Sequence, residues 1–164
     1  MLSVVDQFPD YQFVIAGAPS LPATFYKPFN KHNLPILFDK TYDILKISEA
    51  ALVTSGTATL ETAIFKVPQV VCYKAGGITY QIAKSLIKVK YISLVNLILD
   101  KLCVTELIQN ELNTNRISEE LKAILGNNRN KMMSDYEELH QMLGGKGASD
   151  KTAKLMLKTL QQTQ

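Results

Sequence analysis

The sequence predicts an α/β fold: an open, mostly parallel sheet with helices between its strands. Three observations predict it. Short apolar runs such as Pro68-Gln69-Val70-Val71-Cys72-Tyr73 alternate with stretches of helical spacing such as Leu60, Ile64 and Phe65. The run Ala50-Ala51-Leu52-Val53 carries no charge, as a parallel strand covered on both faces requires. From about residue 115 to residue 164 strand patterns stop and only helical spacing continues. The 164 residues suffice for a single domain with a real core, spanning 1–164, and the balance of 46% hydrophobic to 20% charged is that of a globular chain.

The elements follow in order. Leu2, Val5 and Phe8 predict a helix ending before Pro9. Gln12–Ala16 reads as a strand closed by Gly17, and Pro19-Ser20-Leu21-Pro22 opens a helix through about Phe29. Pro22 suits the first turn, where a missing N–H costs nothing. Pro35–Phe38 is a short strand. Thr41 is placed to cap the next helix, with Tyr42, Leu45 and Ile47 as packing residues. The Ala50–Val53 strand then feeds a helix ending near Lys66, and Pro68–Tyr73 is a second buried strand. Ile78, Ile82, Ala83 and Leu86 give one side of a helix through Lys88, and Tyr91–Leu94 is a short extended piece leading to Asn96. Thr105 is placed to cap a short helix through Gln109. Ile117, Leu121 and Leu125 define a helix stopped by Gly126, and Met132, Tyr136, Leu139 and Leu143 one stopped by Gly144-Gly145. Ser149 is expected to cap the last, with Ala153, Met156, Leu157 and Leu160 turned inside. Gly144-Gly145-Lys146-Gly147 is a joint between helices rather than a phosphate loop, since no strand precedes it and no Lys-Ser/Thr ending follows.

Composition narrows the function. A net charge of +3 is too small to argue for nucleic acid, although it suits an anionic ligand or a lipid surface. Cys72 and Cys103 have no metal-ligand spacing and form no CxxC, so they read as reduced core thiols of a cytosolic protein. His32 and His140 are isolated, which argues against zinc. No run approaches the ~20 apolar residues of a membrane span, and Met1–Asp6 is not of the signal-peptide type. Lys84, Lys88 and Lys90 beside Ile82, Leu86 and Ile87 fit a packed helix with a solvated face, or contact with an anionic membrane. The Met132/Met133 pair reads as core.

The stretch with chemistry is Val53-Thr54-Ser55-Gly56-Thr57-Ala58-Thr59-Leu60-Glu61. A strand ends there, turns at Ser55-Gly56 and feeds a helix. Gly56 allows a tight turn or close approach of a ligand. Ser55, Thr57 and Thr59 offer hydroxyls around amides that a helix start leaves unpaired, a setting that favours phosphate. Thr57 and Glu61 are four apart and share a helix face. One turn from the tip, a carboxylate is placed to accept hydrogen bonds from two sugar hydroxyls. A capped helix with a solvated glutamate fits the same stretch. In open α/β sheets ligands lie beyond the carboxyl ends of the strands, and Gly17, Phe38, Ser55, Tyr73 and Asn96 all fall just past expected strand ends.

Several of these segments together resemble the carboxy-terminal half of lipid-A-disaccharide synthase. They are Ser55–Glu61, Pro68–Lys74, Tyr91–Asn96, Glu106–Gln109, Gly147–Asp150 and the early Phe8–Ala18. The resemblance implies one half of a two-domain GT-B glycosyltransferase, with a Rossmann-like sheet and a helical tail. It implies transfer of a diacylated glucosamine from UDP to diacylglucosamine 1-phosphate, releasing UDP. By the same resemblance Ser55, Gly56 and Thr57 hold the diphosphate and Glu61 the ribose, with Thr59 counted among the residues that bind the UDP-sugar. Tyr73, Lys74, Asn96 and Gln109 border the donor. Lys74 stands where the family often has arginine, which keeps the charge and loses the planar fork. No cofactor is implied, and with no carboxylate cluster of metal-binding type in view, metal-free leaving-group stabilisation is expected. The general base belongs to the amino-terminal half, so no catalytic residue is expected in these 164 residues. A cytoplasmic protein with peripheral contact at the inner membrane face is implied.

Two other readings share part of this pattern. A UDP-N-acetylglucosamine 2-epimerase-like enzyme uses a similar serine-glycine segment and glutamate. A non-catalytic nucleotide-binding module would work with a partner chain. Family members begin this domain with a strand and a Pro-Gly-Ser-Arg turn, whereas this sequence begins at the following helix. That first strand is central in a doubly wound sheet. The Gln12–Ala16 and Ala50–Val53 strands are therefore expected to flank a gap, filled by rearrangement, self-association or a partner chain.

Overall fold

A computed structural model of the chain describes residues 1–54, 56–76, 90–144 and 147–162. Five short strands, β1 (Ile15–Gly17), β2 (Ile36–Phe38), β3 (Ala51–Thr54), β4 (Gln69–Tyr73) and β5 (Glu106–Ile108), form two parallel sheets among these residues. The first pairs Ile15 with Ile36 and Gly17 with Phe38. The second has the order β3-β4-β5, with Val53 opposite Val71 and Cys72 opposite Leu107. The α/β class with parallel strands is thus as the sequence predicts. No ladder joins β1 to β3 among the described residues, so the two strands expected to flank a gap lie in separate sheets.

The helices are α1 (Ala23–Tyr26), α2 (Thr41–Ile47), α3 (Thr57–Ile64), α4 (Leu94–Leu99), α5 (Thr114–Leu125), α6 (Arg129–Leu143) and α7 (Ala148–Gln162). A 3-10 turn, Leu2–Gln7, precedes them. The core forms where β4 has a strand on each side. Val70, Val71 and Cys72 are buried there with Leu107 of β5, and Ile117, Leu121 and Ile124 of α5 join the same cluster. Met132, Tyr136 and Leu139 add α6, and Val4 and Phe8 bring in the amino-terminal turn. Each fully buried Val or Leu side chain contributes on the order of 1.5–3 kcal/mol by leaving water.

Several expectations are corrected. β1 starts at Ile15, and Phe13 packs against the core instead of extending the strand. The helix expected through Phe29 stops at Tyr26, because Pro28 cannot continue the hydrogen-bonded ladder. Thr41 is the first residue of α2 rather than its cap, which is Lys40. Within α2 Leu45 is buried, while Ile47 is 84% exposed. Ser93 caps α4, its hydroxyl accepting from the Asn96 amide at 3.3 Å, so Asn96 lies inside a helix rather than beyond an extended piece. The expected Thr105–Gln109 helix is strand β5, because pairing with β4 satisfies backbone groups that a helix there would strand. Thr105 donates its hydroxyl to Glu120 at 2.9 Å instead of capping. The apolar side of α7 is not inside: Leu155, Met156, Leu157 and Leu160 are 60–67% exposed, and Ser149 falls within the helix. The Ile78–Lys88 helix, with Lys84 and Lys88, and the Gly145-Lys146 joint lie outside the described residues.

At the end of β1 a Cβ on Gly17 would sit 2.5 Å from the Phe38 ring, so only glycine fits without moving that ring. Tyr26 packs edge-on to Phe38 and accepts from the Ala18 amide at 2.7 Å, which ties α1 to this sheet.

Both cysteines are buried and unpaired in disulfides. Burial pushes the Cys72 thiol up to about 11 and the Cys103 thiol up to about 12. At pH 8 neither is a thiolate, the reactive form. Ellman's reagent should therefore find almost no thiol in the native chain and two in denaturant. Rapid labelling of either without denaturant would contradict this burial.

Candidate functional site

The parallel register places the carboxyl ends of β3, β4 and β5 side by side, at Thr54, Tyr73 and Ile108. The residues that follow them, Gly56 and Thr57, Lys74 and Gln109, emerge at one edge of the sheet. This is the edge where open α/β sheets receive ligands. Ser55 lies outside the described residues.

Gly56 is the N-cap of α3, with φ 137° and ψ −160°. A side chain there would meet nothing within 4 Å, so glycine is required by the backbone and not by crowding. A glycine cap brings no side-chain oxygen to the first turn. Among the described residues the amides of Thr57 and Ala58 have no partner, and they lie at an exposed helix tip. Thr57 is exposed, and its hydroxyl has no partner among the described residues. Thr59 is corrected as a ligand contact: it is fully buried, and its hydroxyl donates to the Gly56 carbonyl at 2.7 Å. It shapes the tip from behind.

Glu61 lies one turn along the helix and is half-buried, with no ion pair or side-chain hydrogen bond among the described residues. Tyr73 is half-buried and Lys74 exposed, and both side chains are likewise unpartnered among the described residues. Unpartnered polar groups at one sheet edge, beside open helix amides, form a setting for an anion with a hydroxylated arm.

Asn96 does something else. It is fully buried. Its Oδ1 accepts from the Cys103 and Val104 amides at 2.8 and 2.9 Å. Its Nδ2 donates to the Val104 carbonyl at 2.8 Å and to Glu106 Oε1 at 2.9 Å. No side-chain group is left for a ligand, so Asn96 is corrected from a pocket border to an internal tie. Glu106, the other member of the tie, was not among the residues expected to matter. Its two oxygens accept from the Ile92 and Ser93 amides, each at 2.9 Å. A lone carboxylate in the apolar run Val104–Ile108 was the available signal.

Gln109 is occupied too. Its amide spans to the backbone of Ala75, Nε2 donating to the carbonyl at 3.1 Å and Oε1 accepting the N–H at 3.2 Å. Gln69 joins α3 to α6 from the far end of β4: Nε2 donates to the Thr59 carbonyl at 2.8 Å and to the Tyr136 hydroxyl at 3.1 Å. Burial raises the Tyr136 hydroxyl well above its ordinary value, which keeps it neutral. Gly17 and Phe38, expected at the same crevice, belong to the other sheet, where the Phe38 ring covers Gly17 and packs on Tyr26.

A family model described as lipid-A-disaccharide synthetase matches residues 5–159. The chain is 39% identical over 142 residues to the lipid-A-disaccharide synthase of Psychromonas ingrahamii, covering 84% of this chain and 37% of that protein. It is 38% identical over 152 residues to the synthase of Syntrophus aciditrophicus, covering 89% and 40%. With the synthase of Geobacter sulfurreducens it shares 31% over 160 residues, covering 94% and 42%. The chain thus spans less than half the length of these curated relatives, and its parallel α/β fold is consistent with one Rossmann-like half of a GT-B protein. By the extent of these matches, the chain belongs to the lipid-A-disaccharide synthase family, glycosyltransferases of lipid A synthesis.

Proposed function

We propose that these residues are the UDP-binding part of a glycosyltransferase. It joins UDP-2,3-diacylglucosamine to 2,3-diacylglucosamine 1-phosphate and releases UDP with the lipid A disaccharide. The observation that carries this reading is the glycine-capped tip of α3 at the carboxyl edge of the sheet, with its first amides and, one turn behind, Glu61 unpartnered among the described residues.

In the reaction an acceptor hydroxyl attacks the anomeric carbon of the donor sugar. The bond from that carbon to the diphosphate oxygen breaks, and its electron pair leaves with UDP. Negative charge grows on the diphosphate as it departs. The amides of Thr57 and Ala58, the Thr57 hydroxyl and the Lys74 ammonium are the groups placed to meet it. A helix tip contributes roughly 0.3–1 kcal/mol, up to about 2 when partly buried. Hydrogen bonds to a charged group add roughly 1.5–3 kcal/mol each. Donors held in place beforehand favour the transition state, because nothing has to reorganise when the charge develops. Glu61 accepts from the two ribose hydroxyls, and Tyr73 borders the donor. The acceptor's proton goes to a base that the family's amino-terminal half supplies, so these residues bind UDP without completing transfer. The acyl chains of both substrates bring the protein to the inner membrane face as a peripheral partner.

A UDP titration tests this reading. At about 100 times its Kd, UDP should stabilise the chain by about 2.7 kcal/mol. For a chain of this size that is a rise in melting temperature of roughly 5–10 °C. UMP, with one phosphate fewer at the helix tip, should raise it less. Equal responses to the two, or none to UDP, would remove the helix tip from the site.

A further inference from the structure

The residue after β5 carries an unusual backbone. Gln109 has φ 53°, in the left-handed region that non-glycine residues seldom adopt. Directly after Ile108 the chain leaves the sheet and enters a 3-10 turn, Gln109–Glu111. The last ladder pair between the two strands is Tyr73 with Ile108. Beyond it the chain leaves β4 through Lys74 to Ala75, with no ladder partner among the described residues.

The Gln109 side chain fills that place. A primary amide holds one carbonyl and N–H donors in a plane, as a peptide group does. Here it bonds both the N–H and the C=O of Ala75, at 3.2 and 3.1 Å. It therefore acts as one more rung of the sheet after the backbone of β5 has turned away. Left-handed strain in a residue whose side chain grips a neighbouring backbone is the kind of local cost that persists when the surrounding structure over-determines it.

We propose that Gln109 is a positioning residue for the donor site. It holds the end of β4, and with it Tyr73 and Lys74, at the edge where the helix tip opens, and it acts through the Ala75 backbone without touching the ligand. This rests on the UDP-binding reading above.

Two variants of the 164-residue chain test it, Gln109→Ala and Gln109→Gly, read by hydrogen exchange at the Ala75 amide and by calorimetric titration with UDP. Both variants remove the grip. The glycine variant also relieves the left-handed strain, so its melting temperature should not fall. The expected result is loss of protection at Ala75 in both, with UDP affinity lowered roughly tenfold, the scale of one or two net hydrogen bonds. A residue that merely stabilised the turn would leave the glycine variant binding UDP as well as the parent. If Ala75 exchanges freely in the glycine variant while its UDP affinity equals that of the parent, the positioning role is overturned and UDP binding stands. If the parent itself takes up no UDP, the underlying reading fails first and this role with it.

Discussion

Replacing Asn96 with alanine should destabilise the chain by about 3–5 kcal/mol, with urea denaturation as the measurement. The size follows from what is left behind. The amides of Cys103 and Val104, the Val104 carbonyl and one oxygen of Glu106 each lose a partner within 3 Å. All of these bonds converge on a fully buried side chain. A buried polar group left unsatisfied costs roughly 1–3 kcal/mol, far more than the net worth of the bond that served it. Domains are stable by only about 5–15 kcal/mol, so the loss would be a large share of the total. The effect should spread along the chain, because Glu106 also holds the Ile92 and Ser93 amides at the start of α4. A midpoint shift worth under about 1 kcal/mol would mean that water takes over these bonds.

Glu61→Ala should lower UDP affinity about a hundredfold and leave stability within about 0.5 kcal/mol. The two halves of this expectation have different grounds. Stability is indifferent because the carboxylate is half-buried and makes no side-chain bond or ion pair among the described residues. Affinity is sensitive because two ribose hydroxyls donating to one carboxylate are worth about 3 kcal/mol or more together, and 1.4 kcal/mol is a factor of ten. The 2′-deoxy form of UDP offers one hydroxyl fewer, so the substitution should penalise it less. Calorimetry with both nucleotides reads the difference. Unchanged affinity for UDP would take Glu61 out of the site.

The contrast between these two residues shows how far the sequence could be read. The position of Glu61 one turn along a helix was legible because its spacing from Thr57 follows from helix geometry alone, and α3 does begin at Thr57. The sequence placed Asn96 past an extended piece and Gln109 at the end of a short helix, whereas Asn96 lies inside α4 and Gln109 follows strand β5. Their side chains turn inward to Val104 and to Ala75, contacts set by strands that meet only in the folded chain. Thr59 sits on the same stretch as Thr57, yet burial against β4 gives it a different role. Its carbonyl receives the Gln69 amide and its hydroxyl serves the tip.

Local pattern by itself determined the parallel α/β class, the strands read at Ala50–Val53 and Pro68–Tyr73 and found at Ala51–Thr54 and Gln69–Tyr73, and the two helices ending before Gly126 and Gly144. These segments carry enough apolar residues at one period to declare which face they bury. Tertiary structure alone decided that Glu106–Ile108 is a strand, since three residues hold too little periodicity and the free edge of β4 supplied the deciding hydrogen bonds. It alone left the apolar side of α7 in water, and it alone split the strands into two sheets. A segment's sequence states what it would bury and which bonds it must make. Which neighbour receives that surface, and which backbone group completes those bonds, is settled by residues far away along the chain.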